Sequence, residues 1–269
     1  IEINIFPDPN DSNLYDLRIY KLGEKLTLSS IVPLLENAGF TIDNEVLNTI
    51  YIDSKPWSSI YSFSISASDI VKEIITVSSI QSILIPGLKE VLLNRATNDV
   101  LNILLISPGL RIREISLIRT IASYMWQLKS YSSLKRITNA FIKNPETTKL
   151  LFQYFDIKFN YELNNISSDE RNLKLQSQKN EILHSLKKVN LLVQDKVLRG
   201  ALAVLEATKR TNYFISNNPY TISLKIKCSE IPDAPKPKPF FEIYVNAPHF
   251  EGVHLRGGPV SRGGLRWSD

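Results

Sequence analysis

Two hydrophobic periods divide this chain, and they bound what it can fold into. From about residue 69 to residue 214 apolar residues recur three and four positions apart almost without interruption, whereas on both sides they alternate with polar ones. The first spacing buries one stripe of a helix and the second buries one face of a strand. The chain therefore reads as α+β, a predominantly α-helical central bundle flanked at each end by a strand-forming segment. Three parts follow: 1–68, 69–214 and 215–269.

In the first part Ile1, Ile3 and Ile5 alternate with polar residues, Pro7 to Asn13 is a turn cluster, and Leu14 to Tyr20 is rich in β-formers. A helix follows. Ser29 is its expected N-cap, Pro33 sits in the tolerated first turn, Ile31, Leu34, Leu35 and Ala38 form the buried face, and Gly39 takes the left-handed position that ends it. Phe40 to Ile52 then reads as extended. In the central part Pro86 opens a helix after Ile85, and Pro108 with Gly109 breaks the next. Ile115, Ile118, Ile121, Ala122, Met125 and Leu128 then trace a stripe over several turns. Asn144 before Pro145 and Glu146 starts another helix, with Leu150, Leu151, Tyr154 and Phe155 behind it. A longer pattern begins at Ser168 and Asp169 and runs through Leu186 and Val197 to Leu205. Stripes of this kind must face one another, which is what a bundle provides. In the last part Ile222, Leu224 and Ile226 alternate with Ser223, Lys225 and Lys227, and Phe241, Ile243 and Val245 alternate with Glu242 and Tyr244. Pro232, Pro235, Pro237 and Pro239 make the connection between these strands stiff and extended.

Composition narrows the function. With 43% hydrophobic and 22% charged residues the chain is in the globular range, so disorder is not the default. The net charge of +5 is scattered, with local concentrations only at Lys187–Lys188, Lys209–Arg210 and Arg256 to Arg266, so nucleic acid is not an expected partner. No run approaches the ~20 apolar residues of a spanning helix, and the start lacks the order of a signal peptide, so no membrane is expected either. The single cysteine, Cys228, excludes a disulfide framework and a thiolate-rich metal site and suits the cytoplasm. His184, His249 and His254 are not at ligand spacing, so no metal is expected; His184 reads as solvent-facing on its helix. Cys228 reads as a packed thiol. Trp57, Trp126 and Trp267 read as packing residues, with Trp267 the one to wall a pocket. The chain opens on Ile1, has its only methionine at Met125, and stops at Asp269 directly after a glycine-rich stretch; the expectation is an internal piece of a longer protein.

The densest chemical signal is that final stretch, Glu251-Gly-Val-His-Leu-Arg-Gly-Gly-Pro-Val-Ser-Arg-Gly-Gly-Leu-Arg-Trp-Ser-Asp269. Paired glycines let backbone approach a ligand closely, and a neighbouring guanidinium presents a planar fork to a carboxylate or phosphate. An anion site follows. A disordered Arg-Gly-Gly segment touching RNA is the alternative, but such segments repeat many times and lack the strand pattern of Val253 and Leu255.

Phe241-Glu-Ile-Tyr-Val, Glu251-Gly-Val-His-Leu-Arg and Ser261-Arg-Gly-Gly-Leu-Arg-Trp-Ser-Asp269 resemble the entrance to the catalytic domain of the large bacterial NAD-specific glutamate dehydrogenases. The likeness extends through Lys209-Arg-Thr-Asn-Tyr-Phe214, Ser107-Pro-Gly-Leu and Arg113-Glu back to Leu17-Arg-Ile-Tyr and Val32-Pro-Leu-Leu-Glu-Asn. Lys209 and His249 depart from the family pattern. The resemblance implies a partial ACT-like regulatory domain over 1–68, a helical domain over 69–214 and, over 215–269, the first β-strands of the substrate-binding half of the catalytic domain. Smaller glutamate dehydrogenases carry Lys-Gly-Gly-Leu-Arg here, with the lysine on a substrate carboxylate. Arg262 stands at that lysine, so Arg262, Gly263 and Gly264 are implied to line the glutamate pocket, with Arg266 shaping the turn or pairing with an acid. An arginine fork needs more room than an ammonium, which alters the contact. The family's proton-relaying lysine and acid and its NAD-binding unit fall beyond Asp269. None of the ten glycines is spaced Gly-x-Gly-x-x-Gly, so the chain itself is expected to hold no catalytic residue and bind no cofactor. The implied whole is an enzyme converting L-glutamate to 2-oxoglutarate with NAD, a homo-oligomer in which the remainder of the polypeptide is this segment's partner. The competing reading is a truncated, non-enzymatic helical interaction protein or degraded gene product.

Overall fold

The computed structural model describes residues 1–9, 11, 13–67, 77–129, 133–162, 166–215, 218–232, 234–258 and 265–267. Alternation at the start of the chain becomes a four-stranded antiparallel sheet. β1 (Glu2–Pro7) pairs with β2 (Leu14–Leu22), β2 with β4 (Lys55–Ala67) and β4 with β3 (Phe40–Ile52), giving the order β1-β2-β4-β3. Ile3, Leu17, Ile19, Phe63 and Ile65 are buried on one face, because residues two apart share a side of the pleat. The helix α1 (Leu28–Asn37) buries Ile31, Leu34 and Leu35 beside this sheet. It starts earlier than Ser29 suggests. Thr27 is the N-cap in extended backbone, and the hydroxyls of Ser29 and Ser30 donate to Thr27 Oγ1 and O at 2.9 and 2.6 Å from inside the first turn. Pro33 consequently lies within the helix. Gly39 has φ +94°, and its N–H donates to Glu36 O at 3.0 Å, which closes the helix as expected.

After residue 77 the chain is helical. α2 (Val77–Ser79) passes through a π-helical turn (Ile80–Leu84) into α3 (Ile85–Leu92), so Pro86 does not open a helix but sits inside a continuous one. A proline has no N–H for the preceding turn, and the widened π turn before it accommodates the loss. A 3-10 helix (Val100–Leu105) follows, capped by the Asp99 carboxylate, which accepts from Leu101 N at 3.0 Å. Gly109, at φ +80°, then provides the break before α4 (Ile112–Gln127). Residues Ile1–Ile115 form one compact unit and Ser116–Asp269 a second, the division falling within α4.

In the second unit, Ile118, Ile121, Ala122, Met125 and Leu128 are buried as their spacing requires. α5 (Leu134–Lys143) packs with α6 (Pro145–Phe159) and α8 (Leu192–Ala207), and α6 with α7 (Ser168–Leu186) and α8. The pattern starting at Ser168 is divided between two helices, α7 and α8. Ser167 caps the first, its Oγ accepting from Glu170 N at 3.1 Å, and a non-helical stretch without Gly or Pro separates Leu186 from Leu192. Lys158 ends the second by donating from Nζ to Leu205 O and Glu206 O at 2.9 and 2.8 Å. α8 runs directly into β5 (Thr208–Thr211), the first strand of a second antiparallel sheet ordered β5-β6-β7-β8-β9, with β6 (Ile222–Ile226), β7 (Phe241–Ala247), β8 (Phe250–Arg256) and β9 (Leu265–Trp267). The chain is thus α+β with two antiparallel sheets. Trp57 and Trp126, read from the sequence as packing residues, are 50% and 41% exposed.

Candidate functional site

Arg262, Gly263 and Gly264 lie outside the described residues. Arg266 has its main chain in β9, opposite Val253 of β8, and its side chain and that of Trp267 are likewise outside. The strands that frame the motif are nevertheless in view. β8 pairs with β7 from Phe250 opposite Ala247 to Arg256 opposite Phe241, and β9 returns along the other side of β8 as an edge strand. Gly257 and Gly258, just after β8, have no atom of the described residues within 4 Å of where a Cβ would stand.

One face of this sheet gathers positive charge. Arg210 is opposite Lys225, Lys225 opposite Ile243, His254 opposite Ile243 and Arg256 opposite Phe241, so these side chains share a face by register. The Lys225 ammonium lies 4.2 Å from the centre of the Phe241 ring. It is held below the usual lysine range, first by desolvation and then by the charges of Arg256 and Arg210. Such a face favours an anion over any other small ligand.

The opposite face carries a polar layer that the sequence reading missed. On β7 it is Tyr244, not Phe241, Ile243 or Val245, that is fully buried. Tyr124 of α4 donates to Glu242 Oε2 at 2.6 Å, Gln127 Nε2 donates to Glu251 Oε1 at 3.1 Å, and Tyr244 donates to Glu251 Oε2. Thr120 Oγ1, which donates to Ser116 O at 2.8 Å, lies 3.4 Å from Asn246 Oδ1. The Tyr124 and Tyr244 rings lie 5.5 Å apart. Burial raises both phenols above their usual range, and Glu242 and Glu251 add to the effect. The Cys228 thiol is pushed up to about 12 by burial and then by Glu242, so no thiolate forms near neutral pH, in line with a packed thiol. A signal for the layer was present: Thr120, Tyr124 and Gln127 repeat at i, i+4 and i+7, and Glu242, Tyr244 and Asn246 at i, i+2 and i+4. Chemically the layer has hydrogen-bond donors and carboxylates but no activated nucleophile, which makes it a clamp holding the β7–β8 hairpin to α4.

His184 is exposed on α7. Among the described residues no three His, Cys, Asp or Glu side chains gather to hold a metal, and no helix is long and apolar enough to cross a membrane.

Comparison with known proteins gives three family matches in order along the chain. Residues 1–74 match the glutamate dehydrogenase ACT3 domain, 96–161 match glutamate dehydrogenase helical motif 3, and 181–269 match the catalytic domain of bacterial NAD-glutamate dehydrogenase. NAD-specific glutamate dehydrogenases from Pseudomonas aeruginosa and Halomonas elongata are each 30% identical, the alignments covering 94% of this chain and 16% of the relative. That from Mycobacterium tuberculosis is 28% identical over 98% of this chain and 17% of its own length. The resemblance drawn from the motifs is borne out, and the chain spans about one sixth of the length of these relatives.

Proposed function

We propose that this chain, akin throughout to the large bacterial NAD-specific glutamate dehydrogenases, is a segment of such an enzyme, which oxidatively deaminates L-glutamate to 2-oxoglutarate and ammonia with NAD as hydride acceptor. The observation that carries this is the succession of three matches, ACT3, helical motif and catalytic domain, in one order over nearly the whole chain. The parts are a partial ACT-like regulatory unit over 1–68, a helical domain over 69–214 and the opening of the substrate-binding domain over 215–269. The catalytic-domain match reaches back to residue 181, which associates α8 with that opening; α8 and β5 are joined without a linker.

Arg262, with Gly263 and Gly264, grips a carboxylate of glutamate, and Arg266 shapes the turn or pairs with an acid. Two things support this: β8, the strand that precedes the motif in the sequence, ends at Arg256 on the same face as Arg210 and Lys225, and a guanidinium beside glycines meets a carboxylate with paired hydrogen bonds. NAD binding and proton relay belong to other parts of the parent, which we take to be a cytoplasmic homo-oligomer. The test is steady-state kinetics on the longer polypeptide that contains this chain. Arg262→Ala should raise the glutamate KM by about 100-fold and leave the NAD KM alone, since a charge-assisted pair of bonds is worth about 3 kcal/mol. An unchanged glutamate KM overturns the motif assignment, and absence of glutamate-dependent NAD reduction overturns the assignment of the parent.

A further inference from the structure

A groove of about 410 Å³ opens in the second unit between the end of α4, the outer side of α8 and the loop at Ile231–Pro232. Its size falls within the roughly 300–1,000 Å³ of small-molecule sites. Its floor is apolar: Met125 from α4, Leu128 just past its end, Val204 from α8, and Ile231. It exists because α8 presents Gly200 and Ala203 there, one helical turn apart, where larger side chains would fill the space. A glycine in a helix interior weakens the helix, so Gly200 is a local cost that leaves this opening in place.

The lip has two characters. At the start of α8 stands Leu192, 81% exposed, an apolar side chain in water. One and two turns further along the same face of α8 stand Asp195, Lys196 and Arg199. Asp195 holds Arg199 through Nε alone, at 3.0 and 2.8 Å from its two oxygens. The guanidinium is thereby fixed in place, and the planar edge made by its two Nη atoms can meet a second carboxylate. An apolar trough with an oriented guanidinium and a lysine at one end fits a molecule with an apolar tail and one anionic head.

We propose that this groove binds a small amphipathic carboxylate, its alkyl or aryl tail lying over Met125, Leu128 and Val204 and its carboxylate meeting Arg199 and Lys196. The site shares no residue with the glutamate motif and does not depend on the dehydrogenase assignment. Isothermal calorimetry of the 269-residue chain tests it with octanoate and with uncharged 1-octanol as probes. Octanoate should bind saturably, one per chain, with octanol at least about tenfold weaker, and Arg199→Gln should weaken octanoate by about tenfold, as loss of one charge-assisted contact implies. Gly200→Leu, which fills the floor, should abolish binding while circular dichroism shows the helices intact; Ala203→Leu supplies the same test if the first variant does not fold. No octanoate binding, or binding unchanged in the filled groove, overturns the site. Equal binding of octanol overturns the carboxylate. Concentration-dependent self-association, lost in Leu192→Glu and indifferent to octanoate, overturns the small-molecule reading in favour of a protein interface.

Discussion

Tyr124 and Glu242 meet at 2.6 Å, and the worth of their bond depends on which partner is changed. Tyr124→Phe keeps the ring against Tyr244 but leaves a part-buried carboxylate without its phenol donor, an expected loss of about 1–3 kcal/mol. Glu242→Gln keeps an acceptor for Tyr124 and removes the charge, so it should cost about 1 kcal/mol or less. Urea midpoints of the two variants and their double mutant give the coupling; a midpoint unmoved by Tyr124→Phe would show that the layer clamps nothing. Lys158 makes a prediction of the opposite kind. Burial, helped by the charge of Lys209, lowers its pKa from 10.5 to about 8 in the folded state. Between those values the unfolded chain binds more protons than the folded one, so this residue makes stability rise with pH across that window, and its burial penalty is fully present below it. Lys158→Met should flatten the rise. Denaturant titrations of both proteins from pH 7.5 to 10.5 check it, and parallel curves would sink the claim.

Elements were legible where one physical rule acted alone. The stripe of α4 and the alternation of β1 and β6 follow from burial on one side, and Gly39 ended α1 because only glycine takes its φ without strain. Boundaries were less so. Ser29 and Thr27 have the same capping chemistry two residues apart, and the break between α7 and α8 contains neither Gly nor Pro, so the apolar period runs on across it. Pro86 was read as a helix start because a π turn leaves no mark on spacing. The polar layer escaped because it joins a helix that is buried on nearly all sides to a strand more than a hundred residues away, a pairing that no local pattern records. Gly87 of α3 marks one place where the packing of two elements decides a residue. A Cβ there would stand 2.5 Å from Leu105 Cδ2, and Leu105 is itself buried. Alanine gains about 1 kcal/mol of helix propensity, but overpacking of a closed core costs about 1–3 kcal/mol. Gly87→Ala should therefore be destabilising by about 1 kcal/mol in a urea melt; a more stable variant would mean that Leu105 gives way freely.

On the scale of the whole molecule, reading the site depended on chemistry that a single chain states only in part. The glycine-arginine run suggests an anion site by residue type, and Arg210, Lys225 and Arg256 gather on one face of the sheet, but those three come from separate strands whose register no local pattern specifies. Which anion, and which reaction, are proposed from the family motifs alone. The same division governs what these 269 residues can do alone. A nicotinamide dinucleotide needs a helix N-terminus reached through a glycine-rich turn after a parallel strand, and both sheets are antiparallel throughout their described strands, with no Gly-x-Gly-x-x-Gly in the sequence. Calorimetry of the isolated chain should therefore show no saturable heat with NAD. With glutamate any binding should be weak, because one guanidinium offers about 3 kcal/mol of contact while association itself costs at least about 4 kcal/mol. Saturable NAD binding to these residues would place the cofactor site here and undo the division of labour proposed between this segment and its parent.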